Sequence, residues 1–254
     1  MRNAILVLLL AVPAFAKGVV KQLTIEDTYY KRTRNVWVYT PEQTAKSYPL
    51  IVLFDGDSYI KDIPAPDTLD ELIAAKKIPP MMAIMVDNTA DRLGDLANHQ
   101  KFADFIALQL IPWARAKWPA VAKDASGIAT GGASAGGLAA AYVAYRHPEV
   151  VGNVLSQSGA YWRGNEGGSS PTEWLTEQFR ASKKLPIKFY MEVGALETQK
   201  TAGGPIFIEA TRRLRDVLRE KGYAIQYLEA PNSHHEETHW RAQFGPGVVG
   251  LFGK

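Results

Sequence analysis

The sequence has 254 residues, of which 46% are hydrophobic, a formal net charge of +3 at pH 7 and no cysteine. This length and composition favour one α/β-sized domain with a single sizeable core. The nearly neutral charge argues against nucleic acid as the main partner, and the lack of cysteine excludes disulfides, a thiolate nucleophile and a lipid-modified cysteine.

The first predicted element is a secretory signal peptide at residues 1–16. This segment begins with one positive charge, continues with an apolar run and ends in Ala-Phe-Ala, which are the three parts of such a signal. The apolar run is too short to be a membrane anchor, and Pro13 would break a buried helix. We therefore expect residues 17–254 to form a single mature domain, periplasmic or secreted, without stable membrane insertion.

Strand and helix patterns follow one another along the rest of the chain. Eight strands are predicted at residues 19–25, 34–40, 48–56, 81–87, 127–134, 150–158, 186–194 and 224–230. Four helices are predicted at residues 68–77, with Asp67 as the N-cap, 99–118, 137–148 and 204–222. After the two opening strands the alternation predicts an α/β fold with a mostly parallel sheet and helices on both faces. Sites in such folds form at the carboxyl ends of the strands.

The most specific motif is Gly132-Ala133-Ser134-Ala135-Gly136, which matches G-x-S-x-G. It lies between a predicted strand and an Ala-rich helix, as in a nucleophile elbow. This context predicts that Ser134 is a nucleophile and that the N–H of Ala135 is one oxyanion donor. A Gly-rich phosphate-binding turn is the alternative, but the stretch has neither a P-loop lysine nor G-x-G-x-x-G. The second oxyanion N–H should come from Gly56 or Asp57, after an early central strand.

The base and the acid are expected on later loops, because the chain order in this kind of site is Ser, acid, His. The loop after the last predicted strand contains His234, His235 and His239. The loop after the preceding strand contains Glu197, which we predict to be the acid. Glu192, inside that strand, is the alternative.

A competing motif overlaps these histidines. Residues 235–239 read His-Glu-Glu-Thr-His, which matches the zinc signature H-E-x-x-H when it lies on a helix. A catalytic zinc needs three protein ligands, and no His, Asp, Glu or Cys follows His239. An upstream ligand such as His99 stays open. We favour the serine site and expect no metal and no cofactor.

Four stretches together carry a family resemblance. They are VLFDGDSYI (52–60), the segment from VDNTADR to LIPW (86–113), the elbow with its following strand (131–162), and FYMEVGALET (189–198) with the final H-x-x-x-x-W-R. This combination resembles the esterase D / enterochelin (enterobactin) esterase group of α/β-hydrolases. The resemblance implies the α/β-hydrolase fold.

Site residues follow from this resemblance position by position. It implies that Ser134 is the nucleophile, that His235, five residues before Trp-Arg, is the base, and that Glu197 is the acid. Asp57 is implied as an oxyanion donor. Arg92 is implied near the substrate mouth, where it holds an anionic or catecholate group, and Trp162 is implied as a wall of the site. Ser233-His234 stands where the family usually has two glycines, so His234 stays open as the base.

The function implied is that of a serine carboxylic-ester hydrolase acting on a small-molecule ester, such as a trilactone catecholate siderophore in its ferric form. Feruloyl, acetyl or general acyl-ester hydrolysis and acyl transfer are alternatives within the same fold. A zinc hydrolase at His235 and His239 and a non-catalytic binding protein are further alternatives.

Overall fold

An eight-stranded sheet forms the centre of the protein in a computed structural model that describes residues 17–88, 91–168, 172–202 and 204–253. The predicted signal peptide at residues 1–16 lies outside these ranges. The strands are β1 (Val19–Asp27), β2 (Arg32–Thr40), β3 (Leu50–Phe54), β4 (Met82–Val86), β5 (Ile128–Ala133), β6 (Asn153–Gln157), β7 (Lys188–Gly194) and β8 (Ala224–Ala230). All eight predicted strands are confirmed, with shifts of a few residues at their ends.

The strand order is β1-β2-β4-β3-β5-β6-β7-β8. Strand β2 pairs antiparallel with both β1 and β4. Strands β4, β3, β5, β6, β7 and β8 pair in parallel in that order. The mostly parallel sheet predicted from the sequence is therefore confirmed. The carboxyl ends of β3, β5, β6, β7 and β8 lie along one edge, so the loops that follow them can share a site.

Helices cover both faces of the sheet. One face carries α1 (Gly56–Lys61), α2 (Ala65–Ala74) and α9 (Glu237–Phe252); the other carries α3 (Arg92–Leu96), α4 (Gln100–Asp104), α5 (Ile111–Lys117), α6 (Ala135–Arg146), α7 (Trp174–Ala181) and α8 (Phe207–Glu220). Strand β3 shows why two cores form: Val52 packs into one, and Ile51 and Leu53 pack into the other. This alternation follows from the two-residue period of a strand.

Two predicted helices differ from those observed. Helix α2 begins at Ala65, so the prediction of Asp67 as its N-cap is wrong; this carboxylate lies in the first turn, where the helix dipole favours it. The helix predicted at 99–118 contains a π-helical stretch, Phe105–Leu110, between α4 and α5. Pro112 follows this stretch and lacks an N–H, which a widened turn accommodates.

Helix α9 was not predicted, because it contains Pro246 and several glycines, which are poor helix formers. Packing explains it. A Cβ added at Gly247 would come within 2.3 Å of Leu155 on β6, so this glycine lets the helix lie directly on the sheet. Within the described ranges no helix is long and apolar enough to cross a membrane.

Candidate active site

Ser134 occupies a strained turn between β5 and α6. Its φ of 56° and ψ of −117° are unusual for a residue with a side chain. Its N–H donates to the carbonyl of Gln157 over 2.8 Å, and its carbonyl accepts from the N–H of Ala160 over 2.9 Å. A Cβ added at Gly132 would come within 2.6 Å of the backbone of Gly136. The two glycines of the motif therefore permit the turn.

Glu197, the acid predicted from the order of the loops, pairs with His235, the base implied by the family resemblance. Nδ1 of His235 donates to Oε2 of Glu197 over 2.7 Å. The other oxygen of Glu197 accepts from Oγ of Ser158 over 2.5 Å and from the N–H of Gly194 over 2.8 Å. Glu197 is fully buried, whereas His234 is exposed. The structure thus brings His235, not His234, to the carboxylate.

Two aromatic rings hold the His235 imidazole from its sides. Phe207 and Trp240 meet it edge to face, with ring centroids 4.8 and 5.0 Å away. Nε1 of Trp240 also donates to Oγ of Ser158 over 3.0 Å. Sequence reasoning missed Ser158 and Phe207 and gave Trp240 no role beyond marking the histidine. The only signal for Ser158 was its position at the end of a predicted strand.

A cleft of about 400 Å³ opens at the carboxyl edge of the sheet. Both Ser134 and His235 line it, together with Asp57 and Arg92. Asp57 and Ala135 lie in the first turns of α1 and α6, where backbone N–H groups have no acceptor within the helix. The predicted nucleophile, base and oxyanion donors therefore belong to one region of the molecule.

Arg92 is held by Asp55. Its Nε and Nη2 donate to the two oxygens of that carboxylate over 2.5 and 2.8 Å. This hydrogen bonding raises the pKa of Arg92 above its usual value. Asn88 also donates to Asp55, so the turn that precedes Asp57 is fixed from two sides. Arg92 still faces the cleft, and its predicted contact with substrate stays a prediction.

Trp162, predicted to form a wall of the site, is not among the residues that line this cleft. It is half-buried on the loop after β6, and the guanidinium of Arg163 lies 4.5 Å from the centre of its ring. The role of Trp162 as a wall of the site stays a prediction.

The geometry assumed by the zinc interpretation is absent. Helix α9 begins at Glu237, so His235 precedes the helix and only His239 belongs to it. His239 donates through Nε2 to the buried Glu192 instead. Among the residues that the structure describes, no group of three His, Cys, Asp or Glu side chains could hold a metal ion. Glu192, the alternative acid, is therefore engaged by a different histidine.

A second buried network surrounds Glu192. Gln157 donates to Glu192 over 3.3 Å and to the carbonyl of Trp240 over 2.7 Å, and it accepts from the hydroxyl of Tyr59 over 2.8 Å. Burial raises the pKa of Glu192, and the hydrogen bond from His239 offsets this only in part. The network links α1, β6, β7 and α9 behind the cleft.

Comparisons with known proteins identify the family of the chain. The sequence matches the family model described as "Putative esterase" over residues 28–251. Iron(III) enterobactin esterase of Escherichia coli (strain K12) is 27% identical over 237 residues, which cover 91% of this chain and 57% of that relative. The chain thus spans little more than half the length of this relative.

Solved structures of esterases are also similar to this chain. The enterobactin esterase of Shigella flexneri, crystallised in the presence of enterobactin, is similar with a TM-score of 0.80 and 26% identity, over 92% of this chain and 58% of that one. A ferulic acid esterase of Anaeromyces mucronatus, in complex with ferulic acid, has a TM-score of 0.71 and 16% identity, over 94% and 93% of the two chains. The latter likeness shows the fold alone. The α/β-hydrolase fold and the family resemblance are confirmed.

Proposed function

The chain belongs to the esterase family, and from this membership we propose that it hydrolyses carboxylic esters with Ser134, His235 and Glu197. The observation that carries the proposal is the hydrogen bond of 2.7 Å between His235 and the buried Glu197, beside a cleft that Ser134 also lines. A carboxylate on Nδ1 leaves Nε2 of the imidazole as the proton acceptor, which is the arrangement that a serine nucleophile requires.

The reaction proceeds in two halves. Oγ of Ser134 attacks the ester carbonyl carbon while Nε2 of His235 takes its proton, and Glu197 stabilises the imidazolium that forms. The imidazolium then gives this proton to the leaving alcohol, which leaves an acyl-enzyme. In the second half His235 takes a proton from water, the resulting hydroxide attacks the acyl carbon, and Ser134 recovers its proton from His235 as the acid departs.

Charge develops on the carbonyl oxygen in both halves. The N–H groups of Ala135 and Asp57 stabilise this oxyanion, each from the first turn of a helix. The clamp between Arg92 and Asp55 fixes the backbone just before Asp57. Donors held in place before the reaction stabilise the transition state without a reorganisation cost.

A serine-directed label tests this proposal. The folded protein is treated with a fluorophosphonate, its intact mass is measured and the adduct is located by peptide mapping. We expect one adduct, on Ser134, and loss of p-nitrophenyl acetate hydrolysis in Ser134→Ala. Full activity of that variant, or an adduct only elsewhere, would contradict the proposal. A chelator should leave the activity unchanged, and loss of activity on chelation would favour the zinc hypothesis.

The substrate class we propose is a catecholate ester of the trilactone siderophore type. Its support is the similarity to relatives named as Iron(III) enterobactin esterase and Iron(III) salmochelin esterase. Chromatographic assay of enterobactin, with and without iron, beside methyl ferulate and p-nitrophenyl acetate would rank the substrates. Turnover of methyl ferulate alone would favour a feruloyl esterase, and transfer of the acyl group to an added alcohol would favour an acyltransferase. The periplasmic or secreted location is also a proposal, tested by cell fractionation.

A further inference from the structure

Arg163 is a half-buried cation for which the described part of the chain provides no anionic partner. It follows β6 on the loop that contains Trp162, and its guanidinium stacks on that ring. Its Nε atom is buried and has no hydrogen-bond acceptor among the described residues. Other guanidinium groups withdrawn from water have acceptors: Arg34 pairs with Asp27 and Arg92 with Asp55, and Arg115 donates to two backbone carbonyls.

The surroundings of Arg163 oppose its charge. Burial lowers its pKa, and the nearby positive charge of Arg92 lowers it further. Withdrawing a guanidinium from water without an acceptor is unfavourable, and an anion placed against it would remove that penalty. The planar fork of donors in arginine suits the paired oxygens of a carboxylate or a catecholate.

The position of Arg163 connects it to the candidate active site. Its own N–H donates to the carbonyl of Ala160, and the N–H of Ala160 donates to the carbonyl of Ser134. On the other side, the side chain of Asn98 donates to the carbonyl of Gly164 over 2.9 Å. This bond joins the loop of Arg163 to the segment that follows α3, the helix on which Arg92 faces the cleft.

The charges around the cleft are divided between elements. Its acidic lining residues outside the Arg92 clamp, Asp57, Asp62 and Glu237, belong to α1, the residue after it and α9. Arg92 and Arg163 belong to α3 and to the loop after β6. Asp57 pairs with Lys61 and Arg92 pairs with Asp55, so these charges are largely compensated. Arg163 has no ion pair among the described residues, and its charge stays available to attract a negative group of the substrate.

We propose that Arg163 binds an anionic arm of the ester substrate, a carboxylate or catecholate remote from the ester bond that is cleaved. This inference rests on the proposed ester hydrolysis and assigns a specificity to it. Arg163 does not line the cleft itself, so the anionic group must lie beyond the acyl carbon, on a substrate longer than a simple acetyl ester.

A matched pair of esters tests the assignment. The mono-p-nitrophenyl ester of adipic acid and p-nitrophenyl hexanoate have the same chain length and leaving group but differ in a terminal carboxylate. The ratio of kcat/KM for the anionic ester to that for the neutral ester is measured in the wild type, Arg163→Gln, Arg163→Lys and Arg180→Gln. Arg180 is an exposed arginine on α7, so its substitution makes the same change in net charge away from the cleft.

We expect Arg163→Gln to lower this ratio at least about tenfold, as for loss of a charge-assisted hydrogen bond. Arg163→Lys should lower it less, because the charge stays but the fork is lost, and Arg180→Gln should leave it unchanged. An unchanged ratio in Arg163→Gln, or an equal fall in Arg180→Gln, would overturn the assignment. Absence of turnover of both esters by the wild type would contradict the proposed function instead.

A binding measurement tests, independently of catalysis, whether Arg163 binds an anionic group. Calorimetric titration with 2,3-dihydroxybenzoate should show binding to the wild type and to Ser134→Ala that weakens about tenfold or more in Arg163→Gln. Raised salt should weaken binding to the wild type more than to Arg163→Gln. Equal affinities for the wild type and Arg163→Gln would overturn the proposal even if no ester were hydrolysed.

Discussion

The indole N–H of Trp240 donates a hydrogen bond of 3.0 Å to Oγ of Ser158. The hydroxyl of Ser158 donates a hydrogen bond to Glu197, and the ring of Trp240 packs edge to face against His235. One residue of α9 therefore positions both the proposed acid and the proposed base. The geometry of the pair depends on packing between β6 and α9 as well as on the loops that carry the two residues.

The first prediction concerns this bond. Trp240→Phe keeps an aromatic ring but removes the N–H, so Ser158 loses a donor and Glu197 is held less firmly. We expect kcat on p-nitrophenyl acetate to fall about fivefold, with a smaller change in KM, since one hydrogen bond is worth about 1 kcal/mol. Trp118→Phe, a change in a half-buried ring on the far side of the fold, is the control. Equal effects of the two variants would argue against a positioning role.

The second prediction separates the two buried glutamates. Glu197→Gln should lower kcat about 10³-fold or more, because a neutral amide neither stabilises the imidazolium nor fixes the right tautomer. Glu192→Gln should lower the kcat of the folded protein less than about tenfold, because Glu192 bonds to His239 instead. Circular dichroism verifies folding before the rates are compared. The reverse order of effects would move the acid to Glu192.

The sheet and the turn at Ser134 could be predicted from the sequence. Buried parallel strands are continuous apolar runs with abrupt ends, as in β3 and β4, and a tight turn such as that at Ser134 requires glycines at fixed offsets. Both signals are local. The order of the loops then placed Glu197 and the histidine-containing loop at the same edge, and the family resemblance selected His235 from that loop.

Residues of the site that depend on tertiary packing could not be predicted. Phe207 approaches His235 from the start of α8, and Ser158 meets Trp240 only because α9 lies on β6. Helix α9 itself forms against its local propensity. The pairing of Arg92 with Asp55 was likewise not predictable, because it joins the loops after two neighbouring strands.

The third prediction is a fall in stability at alkaline pH. Burial by itself lowers the pKa of His239, but the hydrogen bond and charge of Glu192 outweigh burial and raise it above 6.5; burial also raises the pKa of Glu192. Both shifts make the folded state bind protons more tightly than the unfolded state. The contribution of Glu192 is lost as pH rises from 4.5 through its raised pKa, and that of His239 is lost as pH rises from 6.5 through its own raised pKa.

Chemical denaturation between pH 6 and 9 measures this effect. The double variant Glu192→Gln/His239→Gln should show a flatter dependence of the unfolding free energy on pH than the wild type. Glu192→Gln alone should cost about 3 kcal/mol, because it leaves His239 buried without its carboxylate. His234→Gln, at an exposed histidine, is the control and should keep the wild-type slope. A double variant with that same slope would refute the assignment.

The fourth prediction concerns the stability of the fold at acidic pH. The hydrogen bond from Arg212 to Glu229, helped by one from Tyr227, lowers the pKa of Glu229 from 4.5 to about 2. A carboxylate whose pKa is lowered in the folded state stabilises the fold at pH values above its pKa in the unfolded state. This contribution is lost as pH falls from about 4.5 toward 2. Glu229→Gln should therefore be less stable than the wild type by about 1 kcal/mol at pH 7. Denaturation curves should converge as pH falls to 3, whereas Glu220→Gln, at an exposed residue of α8, should change little at either pH.

The fifth prediction distinguishes two roles for Arg92. If its main task is to hold Asp55 and the oxyanion turn, both Arg92→Gln and Asp55→Asn should lower kcat on a neutral ester about tenfold, because the N–H of Asp57 is no longer fixed. Arg92→Lys should resemble them, since an ammonium cannot replace the bidentate bonds. If Arg92 instead binds substrate directly, its variants should raise KM for an anionic ester and leave kcat on the neutral ester near wild type. The bonds of 2.5 and 2.8 Å to Asp55 favour the first outcome, and steady-state kinetics of the three variants on the adipate and hexanoate esters decides between them.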